Sequence, residues 1–254
     1  MDPADKLKRL SGGLPVGCVW LGLGSAMAAE AAGVAGARLA VVDAEHGVVD
    51  PGDFPAILRA LALTGAAGIV RVPEASSGVV KRALDSGAAG ILFPQIESAE
   101  AARAAVALTL FPPLGVRGSA LGAVRAAGFG TDAGYGRRWN DEAFAAVQIE
   151  SQRGLSSAAQ IAAVPGVDML FFGPFDYATD AGLDPVADAQ VLEAVFAEIV
   201  EAAHAAGKLV GVFPWPGADL AALARQDADM VAVAADVRAV VDGVAAGLAA
   251  FAGA

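Results

Sequence analysis

The chain has 254 residues, 56% of them apolar and 6% aromatic, with 17 basic against 28 acidic side chains and a net charge of −11. That length exceeds a usual domain but matches the roughly 250 residues of an eightfold β/α barrel, so it does not require two domains. The acidic field repels phosphate backbones and anionic bilayers, which argues against nucleic acid and membrane partners, and the alanine-weighted apolar content excludes a disordered chain.

Met1 to Leu10 alternates charges without an apolar leader region, and longer apolar stretches are broken by ions such as Glu30 and Arg38. The sequence therefore reads as cytoplasmic and unanchored. The first β-rich run, Val16 to Leu23, holds the single cysteine, Cys18. It cannot form an internal disulfide and reads as a buried structural thiol of a reducing compartment. Seven further runs follow at Leu39 to Asp43, Gly68 to Val72, Gly90 to Pro94, Ala145 to Ile149, Asp168 to Phe172, Lys208 to Phe213 and Met230 to Ala234. They are apolar at consecutive positions, as expected of parallel strands covered on both faces, and most precede an alanine-rich stretch with helical spacing. Helix punctuation agrees: Pro51 and Asp53 open one helix, Glu97-Ser98-Ala99-Glu100 opens another, and Gly207 closes a third after Ala206. One connection is long, about 30 residues from Phe111 to Asn140, dense in Gly, Arg and Pro, a length that usually marks function. Val237 to Phe251 reads as a final apolar-faced helix. The pattern predicts a single-domain (β/α)8 barrel of the α/β class.

In such a barrel the chemistry collects where strands end. The second run ends in Asp43-Ala44-Glu45-His46, the third in Arg71, the fifth in Gln148 and Glu150, the sixth in Gly173-Pro174-Phe175-Asp176 and the eighth in Asp236. His46, with Asp43 and Glu45 beside it to orient the ring and raise its basicity, is the candidate base; His204 lies on a helix and reads as surface. Glu150 and Asp176 end consecutive strands, so their carboxylates share either a hard divalent cation or an ion pair with Arg71. The Arg71 guanidinium suits an enolate or carboxylate oxygen, or else clamps Glu45 or Glu150. Gly173-Pro174 frees backbone amides for a substrate carboxylate, although alone the pair is only a turn signal.

These residues resemble the metal-dependent 2-oxo-acid aldolases of the HpcH/HpaI family. The resemblance runs from Leu14 to Phe251 and rests on Trp20-Leu21-Gly22-Leu23, Asp43-Ala44-Glu45-His46, Val70-Arg71-Val72-Pro73, Leu84-Asp85-Ser86-Gly87-Ala88, Phe111-Pro112-Pro113-Leu114-Gly115-Val116-Arg117-Gly118, Val147-Gln148-Ile149-Glu150-Ser151 and Gly173-Pro174-Phe175-Asp176. It implies cleavage of 4-hydroxy-2-oxo acids to pyruvate, or a related 2-oxo acid such as hydroxypyruvate, and an aldehyde. It further implies Mg²⁺, Mn²⁺ or Co²⁺ on Glu150 and Asp176, His46 as base, Asp43 as its orienter and Arg71 on the enolate. Trp20, Gln148, Gly173, Pro174, Phe175 and Ser119 are implied around the substrate. A homo-oligomer, trimeric or hexameric with an exchanged C-terminal helix, is also implied, with Asp85 reaching a neighbouring subunit's site; on the sequence alone Asp85 reads equally as a solvated helix end.

Phe175 and Tyr177 depart from the family's small residue and leucine, and Phe213 to Pro216 departs from its aliphatic run, so that Trp215 is expected to narrow the aldehyde end. Three rival readings stand. An imine-forming aldolase needs a mouth lysine, and the four lysines are Lys6, Lys8, Lys81 and Lys208. A CoA-thioester lyase of the citrate lyase beta type needs a basic path that the acidic loops lack. A non-catalytic sensor would bind a metal and an oxo acid without turnover.

Overall fold

The computed structural model describes residues 1–225 and 228–252. Eight strands, β1 (Val16–Leu21), β2 (Leu39–Asp43), β3 (Ala67–Arg71), β4 (Gly90–Phe93), β5 (Phe144–Ile149), β6 (Met169–Phe172), β7 (Leu209–Val212) and β8 (Met230–Ala235), pair in parallel in sequence order, and β8 closes on β1. Every sequence-read strand matches one of these to within about two residues at either end. Around them run α1 (Pro3–Ser11), α2 (Ala26–Val34), α3 (Phe54–Leu63), α4 (Ser77–Asp85), α5 (Ala99–Thr109), α6 (Tyr135–Glu142), α7 (Gln152–Ser156), α8 (Ala158–Ala162), α9 (Pro174–Ala181), α10 (Ala189–Ala205), α11 (Leu220–Arg225) and α12 (Asp236–Ala252). No helix among the described residues is long and apolar enough to cross a membrane.

Strand parity sorts the core into two layers. One set faces the helices, for example Val42, Val70, Ile91, Val147 and Leu170. The alternate set fills the barrel: Val16, Cys18 and Trp20 on β1, Leu39 and Val41 on β2, Ile69 on β3, Leu92 on β4, Phe144 and Ala146 on β5, and Met169 and Phe171 on β6. Burial pushes the Cys18 thiol up to about 12, which fits a structural residue and no nucleophile.

The base of the barrel is closed by α1, which the charge-alternating N-terminus does not advertise. Asp2 caps it through the Asp5 N–H, and Leu7 is fully buried in the inner layer. Beside it Lys6 Nζ lies 2.9 Å from Asp168 Oδ1 and donates to the Ala143 carbonyl at 2.8 Å. Asp168 in turn accepts from the Ala145 N–H, and burial nonetheless raises its pKa despite Lys6.

The long segment is not shapeless. It contains a 3-10 turn (Arg125–Gly130) and leads into α6, and the Asn140 amide bonds both the N–H and the carbonyl of Phe111, closing the segment's two ends on each other. At the other end of the chain α12 buries no residue, and the outer face of β8 beside it is bare, with Val233 46% exposed.

Candidate active site

The inner parity of each strand continues past its apolar residues into the mouth. On β2 it runs Leu39, Val41, Asp43; on β3, Ile69, Arg71; on β5, Phe144, Ala146, Gln148 and then Glu150. The same rule carries Phe213 inward after β7 and Gly173 inward after β6. A cavity of about 270 Å³ results, lined on its polar side by Asp43, His46, Arg71, Gln148 and Asp176, on its apolar side by Trp20, Phe171, Phe175 and Phe213, and floored by Gly173 and Pro174.

Asp43 is the hub of the polar side. Its carboxylate accepts from Arg71 Nε at 2.8 Å and Nη2 at 2.7 Å, from Trp20 Nε1 at 3.1 Å, and from the main-chain N–H groups of Glu45 and His46. Burial raises its pKa, but the Arg71, Trp20 and backbone donors together outweigh that and hold it below the usual carboxylate range. The expectation that Asp43 orients the His46 ring is therefore corrected: Asp43 holds the His46 main chain and the arginine. The ring is 64% exposed, and its nearest carboxylate is Glu45, at 4.0 Å.

Arg71 clamps Glu45 as well, with Nη1 2.9 Å from Oε2, and its guanidinium stacks 5.0 Å from the Trp20 ring. The buried arginine is thus fixed by two carboxylates and an aromatic face while still lining the cavity.

Glu150 is held from two sides. Its Oε1 accepts from the Gln95 N–H at 2.7 Å, and its Oε2 accepts from the Gln148 amide. Gln95 adopts φ +53°, a left-handed conformation uncommon for a non-glycine residue. Gly173 lies against the same carboxylate: a Cβ there would sit 2.7 Å from Glu150 Oε2, so only glycine lets the β6 end come this close. Burial pushes Glu150 up to about 7, with the charges of Asp176 and Glu45 adding to the effect. Asp176, in the first turn of α9, is exposed in the cavity wall. Four carboxylates thus crowd one mouth against a single arginine and a histidine.

That excess of negative oxygen donors fits a hard dication on Glu150 and Asp176. Among the described residues no group of three or more His, Cys, Asp or Glu side chains converges as a ligand set, so such a cation would take its remaining ligands from water and substrate.

At the start of α9, Gly173 takes the N-cap position and Pro174 the first helical one. The N–H groups of Phe175 and Asp176 lie in the first turn, where no carbonyl of their own helix can reach them, beside the cavity. Of the two aromatics flanking Asp176, Phe175 faces the cavity with its ring edge-on to Phe213, whereas Tyr177 is buried against Phe172. Trp215 corrects a second expectation: it packs outside the barrel on Phe172 and Phe196, so it does not narrow the mouth, and Phe213 does. Asp236, which follows β8 as the first residue of α12, is spent on the N–H groups of Gly22 and Leu23.

Asp85 and Ser119 are not brought into this cavity. Asp85 ends α4, below the start of β4, and pairs with Arg117; Ser119 is exposed two residues further along. Phe171 went unnoticed in the sequence because its neighbours are all apolar; counting inward parity from Met169 would have found it.

Residues 17–243 match the family model described as HpcH/HpaI aldolase/citrate lyase. The chain is 43% identical over 233 residues, 88% of each chain, to a hydroxypyruvate/pyruvate aldolase of Paraburkholderia phytofirmans. It is 45% identical over 176 residues, 69% of this chain and 68% of the other, to a 2-dehydro-3,6-dideoxy-6-sulfogluconate aldolase of Pseudomonas putida. A crystal structure of an HpcH/HpaI aldolase/citrate lyase family protein from Burkholderia cenocepacia superposes with a TM-score of 0.88 at 37% identity, covering 98% of this chain and 99% of that one. With the family model matched over residues 17–243 and fold and sequence in agreement along nearly its whole length, the chain belongs to the HpcH/HpaI aldolase/citrate lyase family.

Proposed function

We propose that this protein is a divalent-cation-dependent aldolase that reversibly cleaves 4-hydroxy-2-oxo acids to pyruvate, or a related 2-oxo acid such as hydroxypyruvate, and an aldehyde. The observation that carries the reading is the Asp176 carboxylate in the cavity wall beside the unpaired amides at the start of α9, close enough to Glu150 for its charge to help raise that carboxyl's pKa. The names of the relatives agree with it.

Glu150 and Asp176 would hold Mg²⁺, Mn²⁺ or Co²⁺, which supplies positive charge beside the keto oxygen of a bound 2-oxo acid. The Phe175 and Asp176 amides receive the substrate carboxylate at the helix N-terminus. Arg71, immobilised by Asp43 and Glu45, presents fixed positive charge to the oxygen that becomes an enolate. His46 takes the proton from the C4 hydroxyl as the C3–C4 bond breaks; the bond's electron pair passes to C3, and the aldehyde carbonyl forms. Trp20, Phe171 and Phe213 exclude bulk water from the nascent enolate, which takes a proton at C3 from the protonated His46 to become the free oxo acid and restores the base.

No lysine lines the cavity: Lys6 is buried at the opposite end of the barrel with Asp168, and Lys208 opens β7 at that same end. This favours the cation over an imine, and borohydride trapping with pyruvate would reverse the choice.

Oligomerisation belongs to the same reading. A barrel needs a helix over the seam between β8 and β1, yet α12 swings clear with Val240, Val241, Val244 and Leu248 exposed, leaving an apolar groove of about 600 Å³ against α2. The α12 of a second copy fits there, in a trimer or hexamer, and Asp85 and Ser119 then serve a neighbour's mouth. The free buried Cys18 accords with a reducing cytoplasm.

The test is deuterium exchange into the pyruvate methyl in heavy water, with Mn²⁺ and with chelator, on wild type and His46→Ala. The reading expects cation-dependent exchange, and a turnover loss of roughly a hundredfold to ten-thousandfold in the variant. Pyruvate binding without exchange would mark a sensor, and exchange indifferent to chelator would remove the cation.

A further inference from the structure

Arg117 is the most thoroughly enclosed ion among the described residues, with a side chain that is 0% exposed. Its main-chain N–H bonds the Leu110 carbonyl at the end of α5, and its guanidinium lies 4.6 Å from the Phe111 ring centre, 4.7 Å from that of Trp139 and 5.6 Å from that of Tyr135. Nη1 donates to the Tyr135 hydroxyl at 3.1 Å, Nη2 donates to Asp85 Oδ1 at 2.9 Å, and Nε has no partner.

Burying a guanidinium with an unanswered N–H is costly, and three aromatic faces recover only part of the lost hydration. One carboxylate neutralises it, and that carboxylate belongs to Asp85. The enclosure therefore has an output. Asp85 stands at the end of α4 with its side chain still 23% exposed, and only Oδ1 is engaged by Arg117. An exposed aspartate would ordinarily sample several rotamers. Here the bond from the boxed arginine restrains that freedom while engaging only Oδ1 of a side chain that keeps part of its exposure. A second arginine, Arg125, ties the same segment to the same helix end through the Ser86 carbonyl at 2.9 Å.

We propose that Arg117 is a positioning residue for the reaction: boxed by Phe111, Tyr135 and Trp139, it fixes the Asp85 carboxylate in the orientation in which a neighbouring subunit's mouth receives it. This rests on the reading above that Asp85 serves a neighbouring site. The 111–140 segment is thereby a rigid mount for a residue that precedes it by more than twenty positions.

The experiment uses the full chain loaded with Mn²⁺ and follows condensation of pyruvate with formaldehyde, the smallest acceptor and so the least dependent on pocket shape. The variants are Asp85→Asn, Arg117→Lys, Tyr135→Phe and the double variant carrying Asp85→Asn with Tyr135→Phe. The proposal expects Asp85→Asn and Arg117→Lys to lower kcat by roughly ten- to a hundredfold. Tyr135→Phe, which keeps the ring but removes one anchor, lowers it by less, and the pyruvate KM stays within about twofold throughout. Above all, Tyr135→Phe costs nothing further once Asp85 is already Asn, because its effect runs through that carboxylate. The proposal is overturned if Tyr135→Phe and Arg117→Lys lower the melting temperature but leave kcat within about twofold, or if the Tyr135→Phe loss multiplies in the Asp85→Asn background. Should Arg117→Lys not fold, the Tyr135→Phe pair decides alone. A wild-type rate in Asp85→Asn removes the in-trans reading and this proposal with it, whereas pyruvate methyl exchange tests the aldolase reading independently.

Discussion

Asp43 carries more of the site than a view of it as a histidine's partner allows. It joins β1 through Trp20, β3 through Arg71 and its own following loop through two N–H groups. Replacing it with Asn leaves the buried Arg71 with Glu45 as its remaining carboxylate. A buried pair broken from one side costs about 3 kcal/mol or somewhat more, and urea unfolding of Asp43→Asn should show a loss of that size. The pH dependence has a definite sign. Because the folded pKa of Asp43 lies below its ordinary 3.8, the contribution is complete above that value and fades as pH falls through the folded one. The variant should therefore lose part of the steep acid limb of the wild-type stability curve, and an unchanged limb would rule this out. The polar residues of the mouth were legible in the sequence because they lie at strand ends, and so was Glu45 as one candidate partner of Arg71; Asp43 as its second partner was not. Asp43, Glu45 and Arg71 are separated by up to 28 positions, and which carboxylate faces a guanidinium is settled only when β2 lies beside β3.

At the scale of elements, the strands could be read because the barrel covers them on both faces, leaving continuous apolar runs that nothing else in the chain imitates. The first helix could not. Its charges, Asp5, Lys6, Lys8 and Arg9, conceal that one lysine and one leucine point together into the barrel base. The long segment likewise hid α6, whose eight residues carry only two buried side chains, Tyr135 and Trp139. Lys6→Met separates the two ends of the molecule experimentally. It leaves Asp168 buried without its directly paired cation, the charge of Lys208 remaining nearby, and should lower stability by about 3 kcal/mol in thermal or urea unfolding. Lys6 lies at the base, far from the mouth, so kcat of the folded variant should stay within about twofold of wild type. A large kcat loss at full stability would mean that the base communicates with the mouth.

For the molecule as a whole, the bare outer face of β8 and the unpacked α12 are two halves of one unfinished surface. A chain ending at Arg238 keeps the Asp236 clamp on the β1 loop but removes most of the helix, and on the proposed exchange of α12 between copies sedimentation should report fewer copies per particle than for the full chain. An equal number of copies in the two would remove the proposed exchange. The closed ring of strands also limits how this protein can change over evolutionary time. Gln148 and Glu150 look into the mouth only because they sit two and four steps above Ala146 on one stave, β5, paired on both sides. A single codon inserted between Ala146 and Val147 would turn both toward the helices and offer a substrate Val147 and Ile149 instead. Lineages of this barrel can therefore lengthen or trade the segments between strands, as the thirty-residue excursion before β5 illustrates, while the spacing inside β5 is held to even numbers.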